Sequence, residues 1–282
     1  MNLLVDFLCR FSFGLAIGLC ITPATLVPSG FFRVNMLVLL GLTTFAALLS
    51  STLGLYTNTW ILSVAALGAW IGSISWYADR RWPGVVCCGG AAMFCAAATA
   101  LTGELAIAQV GVRILSGCLI GLTVNAMLLG HWYLNAPGMR VDVLRRSIDQ
   151  TLFVWGLLFF LVVAMIIWQF GNIKDPNASL SSNFFRAVIA ATSGVDGDLD
   201  ATGLALLWLR WLAGLIGLPI LLLMSRLTLE IPNTQSATGI LYVACLAVIL
   251  GELTAQLLGM TVNRGNSVEQ PVQNTMWSEG AA

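Results

Sequence analysis

The chain has 282 residues, of which 58% are hydrophobic and 9% are charged, and its formal net charge is zero. A soluble domain carries about 25% charged residues, so this composition excludes a soluble globular protein. A nucleic-acid partner requires a basic footprint, and the balanced charge with a single lysine argues against that class as well. The partner that the composition predicts is the lipid bilayer.

Eight apolar segments are long enough to cross a bilayer as helices, since a spanning helix needs about 20 apolar residues. We predict an all-α, polytopic integral membrane bundle in which residues 1–263 form one transmembrane domain. Residues 264–282 are polar and are expected to form a disordered C-terminal tail. The spans are expected near residues 4–26, 33–53, 59–77, 84–102, 112–134, 150–170, 203–224 and 237–260.

Basic residues are distributed unequally between the two sides of the predicted bundle. Since basic loops favour the cytoplasm, both termini are expected on the outer side of a bacterial cytoplasmic (inner) membrane. The outer loop 171–202 contains segment 184–192, which is too short to cross and is expected to lie at the interface. The inner side carries seven basic residues, namely Arg33, Arg80, Arg81, Arg140, Arg145, Arg146 and Arg226, and the outer side carries four, namely Arg113, Lys174, Arg186 and Arg264.

The seven cysteines lie inside apolar segments, and the chain contains one histidine. A disulfide framework or a zinc site needs clustered, accessible ligands, and a haem with two axial histidines cannot be built from one. The sequence therefore predicts no metal site and no cofactor, and the cysteines are interpreted as small packing residues. They are Cys9, Cys20, Cys87, Cys88, Cys95, Cys118 and Cys245.

Four charged residues, Asp6, Arg10, Arg210 and Glu252, lie well inside long apolar segments rather than at their ends. A charge in hydrocarbon is costly, so each is a candidate functional residue. Asp6 and Arg10 are separated by one helical turn and therefore share a helix face, and Gln256 follows Glu252 at the same spacing. Glycines continue these faces, which predicts contact with other helices rather than with lipid.

The direction of the spans places these charges at a similar depth, roughly 10 Å below one face of the membrane at 1.5 Å per residue. We predict one intramembrane polar cluster of zero net charge in which Arg210 pairs with Glu252. One interpretation is an ion-pair network that fixes the register of the helices. The other is a site for a proton, an ion or a polar headgroup. The balanced charge favours the first, because unpaired charge is the stronger sign of transport.

The fifth predicted span ends with His131, Trp132 and Tyr133, shortly before Pro137. The proline stops the helix, which places the aromatic rings at the interface, where aromatic belts form. An interfacial anchor is the favoured interpretation. The alternative is a quinone or lipid-headgroup site in which His131 donates a hydrogen bond and an aromatic ring forms a stacking wall. Asn125 lies about 240° around the helix from His131 and is not expected to join that site.

Asp196, Asp198 and Asp200 have the spacing that begins a calcium-binding loop. The full pattern requires a glycine and a glutamate where Ala201 and Leu207 stand. An acidic loop that leads into a capped helix is therefore favoured, and a weak cation site is the alternative.

Three pairs of glycines have the Gly-x-x-x-Gly spacing, which permits close contact between helices. The pairs begin at Gly14, Gly68 and Gly117. In a bundle of eight spans, these motifs are expected to serve internal contacts rather than dimerisation.

Three classes of function fit the sequence. The favoured one is a non-enzymatic component, such as an accessory or scaffold subunit bound to other membrane subunits, because every polar feature has a structural explanation. The second is a carrier for a small solute or a lipid, or a proton-coupled carrier, that uses the intramembrane polar cluster. The third is a quinone-binding subunit of a respiratory chain complex. An enzyme is not favoured, because the sequence contains no catalytic or nucleotide-binding motif.

The three classes differ in what they require of the structure. A scaffold is expected to have fully paired polar groups. A carrier is expected to have a polar cavity that reaches the charged residues, and a quinone-binding subunit an apolar slot that ends at His131.

Overall fold

The structure is a computed structural model that describes residues 2–102, 107–136, 138, 140–172, 180–193, 201–231 and 233–278. Within these ranges every secondary-structure element is a helix. Eight helices there are long and apolar enough to cross a membrane, and they follow the order of the predicted spans. The predictions of an all-α bundle and of eight spans are therefore confirmed for this part of the chain.

The first helix is shorter than predicted. It ends at Ile21 rather than near residue 26, because Thr22 precedes Pro23 and a residue before proline avoids the helical conformation. The elements are α1 (Asn2–Ile21), α2 (Ser29–Thr52), α3 (Tyr56–Tyr77), α4 (Arg81–Leu101), α5 (Ile107–Asn135), α6 (Val141–Asn172), α7 (Leu180–Ser193), α8 (Ala201–Leu209), a π-helical segment (Arg210–Gly217), α9 (Leu218–Thr228) and α10 (Thr234–Ser278).

Helix α7 covers the segment that sequence analysis placed at the interface. Its 14 residues correspond to roughly 21 Å at 1.5 Å per residue, which is less than the hydrocarbon thickness of about 30 Å. The helix is accordingly absent from the eight candidate spans of the described ranges. Its position at the interface stays a prediction.

Helix α10 continues beyond its apolar part, which ends at Gly259, as far as Ser278. The disordered tail that the composition indicates from residue 264 stays a prediction.

Large apolar side chains point outwards from the helices. Trp60 and Phe160 are each 74% exposed, and Trp168 is 72% exposed. Soluble monomers rarely expose contiguous apolar patches of more than a few hundred Å², whereas a lipid environment favours such a surface. Exposure of these side chains therefore agrees with the eight apolar helices in indicating a membrane protein.

The chain divides into two compact units. Unit 1 comprises Met1–Leu158 and Gly217–Ile249, and unit 2 comprises Phe159–Ile216 and Leu250–Ala282. In unit 1, α1 packs against α2, α4 and α5, and α3 contacts both α2 and α4. In unit 2, the end of α6 meets α7 through an edge-to-face contact between Phe170 and Phe184, whose ring centroids are 6.2 Å apart.

Glycines allow the backbones of α1 and α5 to touch in unit 1. A Cβ atom added to Gly14 would overlap the carbonyl oxygen of Gly117 and would lie 2.9 Å from the amide nitrogen of Gly121. A Cβ atom added to Gly18 would lie 2.9 Å from the Cβ of Asn125. The glycine motifs that begin at Gly14 and Gly117 thus make the internal helix contact that was predicted for them.

The third glycine motif behaves differently. A Cβ atom added to Gly72 would lie 3.0 Å from the Cβ of Cys87, but no atom lies within 4 Å of such a position at Gly68. Only one of these two glycines is therefore needed for a helix contact within the described chain.

Arg113 lies buried inside unit 1, near the start of α5. It is 6% exposed, and its Nη1 atom donates a hydrogen bond of 3.5 Å to the carbonyl oxygen of Ala100. This residue was predicted in the span 112–134 and counted among the four basic residues of the outer side. The predicted orientation of the termini stays a prediction.

Candidate functional site

The seventh span is interrupted by the π-helical segment between Arg210 and Gly217. Pro219 accounts for its position. Proline has no N–H group to donate to the carbonyl of Leu215, and its ring crowds that carbonyl, so the preceding turn cannot keep α-helical hydrogen bonding. π-Helical turns, in which residues five apart are hydrogen-bonded, are rare in proteins. Those that do occur are often found at functional sites.

Two glycines bring the π-helical segment into contact with α10 in unit 2. A Cβ atom added to Gly251 would lie 2.7 Å from the Cα atom of Gly214 and 3.0 Å from its nitrogen. Small residues permit this backbone approach within a membrane. Arg210 precedes Gly214 by about one turn, and Glu252 directly follows Gly251, so the glycine contact brings the two charged residues to the same level.

Arg210 and Glu252 form a buried ion pair. Their side chains are 3% and 5% exposed, and the Nη1 atom of Arg210 donates to Oε1 of Glu252 at 3.3 Å. The same nitrogen donates to the backbone carbonyl of Gly251 at 3.1 Å. The predicted pairing of Arg210 with Glu252 is therefore present, and each charge lowers the cost of burying the other.

Several polar atoms near this pair lack partners. Both amide atoms of Gln256, Nε of Arg210 and Nε1 of Trp211 are buried without a hydrogen-bond partner among the described residues. Gln256 shares a helix face with Glu252. Both amide atoms of Gln256 lack a partner, so the side chain has an unsatisfied donor and an unsatisfied acceptor whichever of the two atoms is the oxygen. Buried polar groups are normally satisfied, so these atoms indicate a position for water or a small polar molecule.

The ion pair of unit 1 has a different environment. Arg10 Nη2 lies 2.6 Å from Oδ2 of Asp6 on the same helix. Arg10 also donates to Ser116 Oγ at 3.2 Å, and the hydroxyl of Thr102 donates to Oδ1 of Asp6 at 3.0 Å. These bonds connect α1 to α5 and to the end of α4. The contacts of Asp6 and Arg10 therefore support a structural role in holding three helices together.

The four intramembrane charges thus occur as two ion pairs, Asp6–Arg10 in unit 1 and Arg210–Glu252 in unit 2. The single layer of four charges that the sequence suggested stays a prediction. Among the predicted cluster residues, Gln256 is the one whose amide has no partner in the described chain.

His131 lies exposed near the end of α5 and contacts Tyr242 of α10 within unit 1. The hydroxyl oxygen of Tyr242 is 3.1 Å from Nδ1 of His131, and the rings meet edge to face with centroids 6.4 Å apart. Trp132 packs against Phe31, with centroids 5.9 Å apart, and Tyr133 is half-buried. Tyr242 could not be identified from the sequence, because no local signal joins residues separated by 111 positions.

Asn125 belongs to a different contact, as its position around α5 predicted. Its Nδ2 atom donates to the hydroxyl oxygen of Thr22 at 3.1 Å, and that hydroxyl donates to the carbonyl of Gly18 at 2.7 Å. This chain of bonds fastens the end of α1 to α5.

The possible cation loop of Asp196, Asp198 and Asp200 lies outside the described residues, and the cation hypothesis stays a prediction. Among the residues that are described, no three His, Cys, Asp or Glu side chains are grouped so that they could hold a metal ion.

Eight apolar helices fit a multi-pass α-helical membrane protein. Comparisons with protein-family models, curated proteins and solved structures found no match to this chain. The class is therefore defined by the fold, and any more specific role has to be argued from the polar residues themselves.

Proposed function

We propose that this protein is a membrane carrier that binds a small polar solute in unit 2, beside the Arg210–Glu252 ion pair. The observation that carries the proposal is the burial of both amide atoms of Gln256 without a hydrogen-bond partner among the described residues. A buried polar group without a partner costs about 1–3 kcal/mol. A solute or water that supplies the missing hydrogen bonds would offset that cost.

The same observation weakens the scaffold interpretation that the sequence favoured. A scaffold needs its buried polar groups to be paired, and the two amide atoms of Gln256 are not paired within the described chain. Unit 2 combines these atoms with a buried ion pair and a π-helical segment. π-Helical turns are associated with functional sites, so three independent features support solute binding there.

The carrier proposal can be tested with purified full-length protein in phosphatidylcholine vesicles. The entry of glycerol, acetamide, glycine and acetate would be followed by stopped-flow light scattering and compared with protein-free vesicles. We expect at least one of these solutes to enter faster with the protein. Gln256→Met, which keeps the length of the side chain and removes its polar atoms, should abolish the increase.

Gln235→Met is the matched control, because Gln235 is an exposed residue of the same helix. It should leave the entry rate unchanged. If none of the four solutes enters faster with the wild-type protein, the carrier proposal is wrong.

A second candidate, a quinone-binding subunit, is supported by the contact between His131 and Tyr242. When the tyrosine hydroxyl donates to Nδ1, the neutral imidazole carries its proton on Nε2 and can donate to a quinone carbonyl. Ubiquinone-1 would then quench tryptophan fluorescence in the wild type and less strongly in His131→Ala and Tyr242→Phe. Tyr56→Phe is the control, since Tyr56 is 71% exposed on another helix. Equal quenching in all four proteins would exclude this site.

We also propose that both termini lie on the outer side of a bacterial inner membrane. The seven basic residues on one side and four on the other support this orientation, because basic loops favour the cytoplasm. A C-terminal alkaline phosphatase fusion should therefore be active, and a C-terminal fluorescent-protein fusion should be dark. The reverse result would place the termini in the cytoplasm.

A further inference from the structure

We infer that the solute bound beside Arg210 and Glu252 is uncharged and carries an amide-type group, in which the nitrogen of the N–H is bonded to the carbon of the C=O. This inference rests on the proposed carrier function and specifies its substrate class. It comes from the charge of the site and from the kinds of hydrogen bond that its polar atoms can still make.

The charge of the site excludes a single ion. Arg210 and Glu252 are in contact and neutralise each other, with 3% and 5% of their side chains exposed. A further isolated charge at this depth would be buried without a counter-charge, which is unfavourable in a membrane. An uncharged solute adds no such cost.

The hydrogen-bonding groups narrow the choice further. The amide of Gln256 offers a donor and an acceptor side by side, and neither has a partner in the described chain. Another amide or a urea presents the complementary acceptor and donor at the same spacing, so the two groups can form a pair of hydrogen bonds. Nε of Arg210 is one more buried donor without a partner in the described chain, and a carbonyl oxygen can accept from such a donor with its second lone pair.

Other small polar groups match less well. A carboxylate has acceptors only, so it would satisfy the N–H groups but would place one oxygen against the oxygen of Gln256. A single hydroxyl can rotate to donate or accept, but it cannot match both amide atoms in fixed geometry. We therefore expect the protein to select amides over alcohols of similar size.

The test uses full-length protein in phosphatidylcholine vesicles and compares the entry of acetamide and urea with that of glycerol and glycine. We expect acetamide and urea to enter about tenfold faster than in protein-free vesicles, since two net hydrogen bonds correspond to roughly one order of magnitude or more. Glycerol and glycine should enter at the protein-free rate. Gln256→Met should remove the increase for both amides, and Gln235→Met should retain it.

The outcomes separate the inference from the carrier proposal. If glycerol or glycine enters faster to the same extent as acetamide, the amide selectivity is wrong and the carrier proposal stands. If no solute enters faster, both are wrong. Elution of each variant as a single species from a sizing column, with a melting temperature that is not lowered, shows that a lost flux is not caused by misfolding. The comparison between solutes in the wild type requires no variant at all.

Discussion

Gly214 and Gly251 form a direct backbone contact, and a Cβ atom on Gly251 would lie 2.7 Å from the Cα atom of Gly214. Arg210 reaches the carbonyl oxygen of Gly251 and the carboxylate of Glu252 across this contact. The separation of the two helices therefore decides whether the guanidinium can meet both acceptors.

Gly251→Ala should destabilise the protein, because the added methyl group meets backbone atoms that cannot rotate away. Overpacking of this kind costs about 1–3 kcal/mol. Gly239→Ala is the matched control on the same helix, where no atom lies within 4 Å of the added carbon. Alanine exceeds glycine in helix propensity by about 0.8–1.0 kcal/mol, so the control should be neutral or more stable. Unfolding in detergent measures both variants, and equal shifts would contradict the contact.

Glu252→Gln should destabilise the protein far more than Asp149→Asn does. Removal of one partner from a buried ion pair costs about 3–5 kcal/mol, because the other charge stays buried without compensation. Asp149 pairs with Arg226 at 2.7 Å, but their side chains are 50% and 27% exposed, and surface pairs contribute only about 0–1 kcal/mol. This expectation is tested by measuring the free energy of unfolding of the two variants. Similar losses would show that burial of the pair has no energetic consequence.

Gly14→Ala should separate α1 from α5, since the new methyl group would overlap the carbonyl oxygen of Gly117. The expected loss is at the upper end of about 1–3 kcal/mol, because the hydrogen bond from Arg10 to Ser116 spans the same interface. Gly68→Ala has no atom within 4 Å of its added carbon and serves as control. A melting temperature that falls as much for Gly68→Ala as for Gly14→Ala would argue against the α1–α5 contact.

Pro219→Ala should restore the missing N–H group and favour an α-helix in place of the π-helical segment. The change would rotate Arg210 relative to the rest of the span and weaken its contact with Glu252. A double-mutant cycle with Arg210→Met and Glu252→Gln measures the coupling energy of the pair. That energy should fall in the Pro219→Ala background and should be unchanged by Pro83→Ala, since Pro83 occupies the first turn of α4. An unchanged coupling in Pro219→Ala would mean that the proline does not position the arginine.

Much of the fold could be predicted from sequence because lipid imposes strong rules. A helix needs about 20 consecutive apolar residues to span a membrane, and each of the eight predicted segments is observed as a helix, although α1 ends earlier and α6 begins earlier than expected. The spacing of Gly14 and Gly18 predicted a contact surface, since helical periodicity alone determines which side chains share a face. The pairing of Arg210 with Glu252 followed from the cost of leaving either charge alone.

The partners of the polar residues could not be predicted in the same way. Ser116 and Thr102, which bind Arg10 and Asp6, are ordinary residues of other spans, and helix packing alone brings them near. The π-helical segment had a local sign in Pro219, but sequence analysis did not connect that proline with the turn before it. Arg113 was counted with the basic residues of the outer side, although the predicted span 112–134 contains it, because hydropathy does not show which residues of a span end turn inwards.

The two ion pairs differ in when they can form during synthesis. Asp6 and Arg10 are four residues apart on one helix, so the first span can enter the membrane with its charges already neutralised. Arg210 and Glu252 are 42 residues apart, and a lone charge at a helix centre costs about 2.5–3.5 kcal/mol on insertion. The seventh span therefore carries an unmatched arginine until the eighth has been made. Maturation of unit 2 consequently depends on completion of the C-terminal span. In a chain truncated before Glu252, Arg210 would stay in the membrane without a counter-charge.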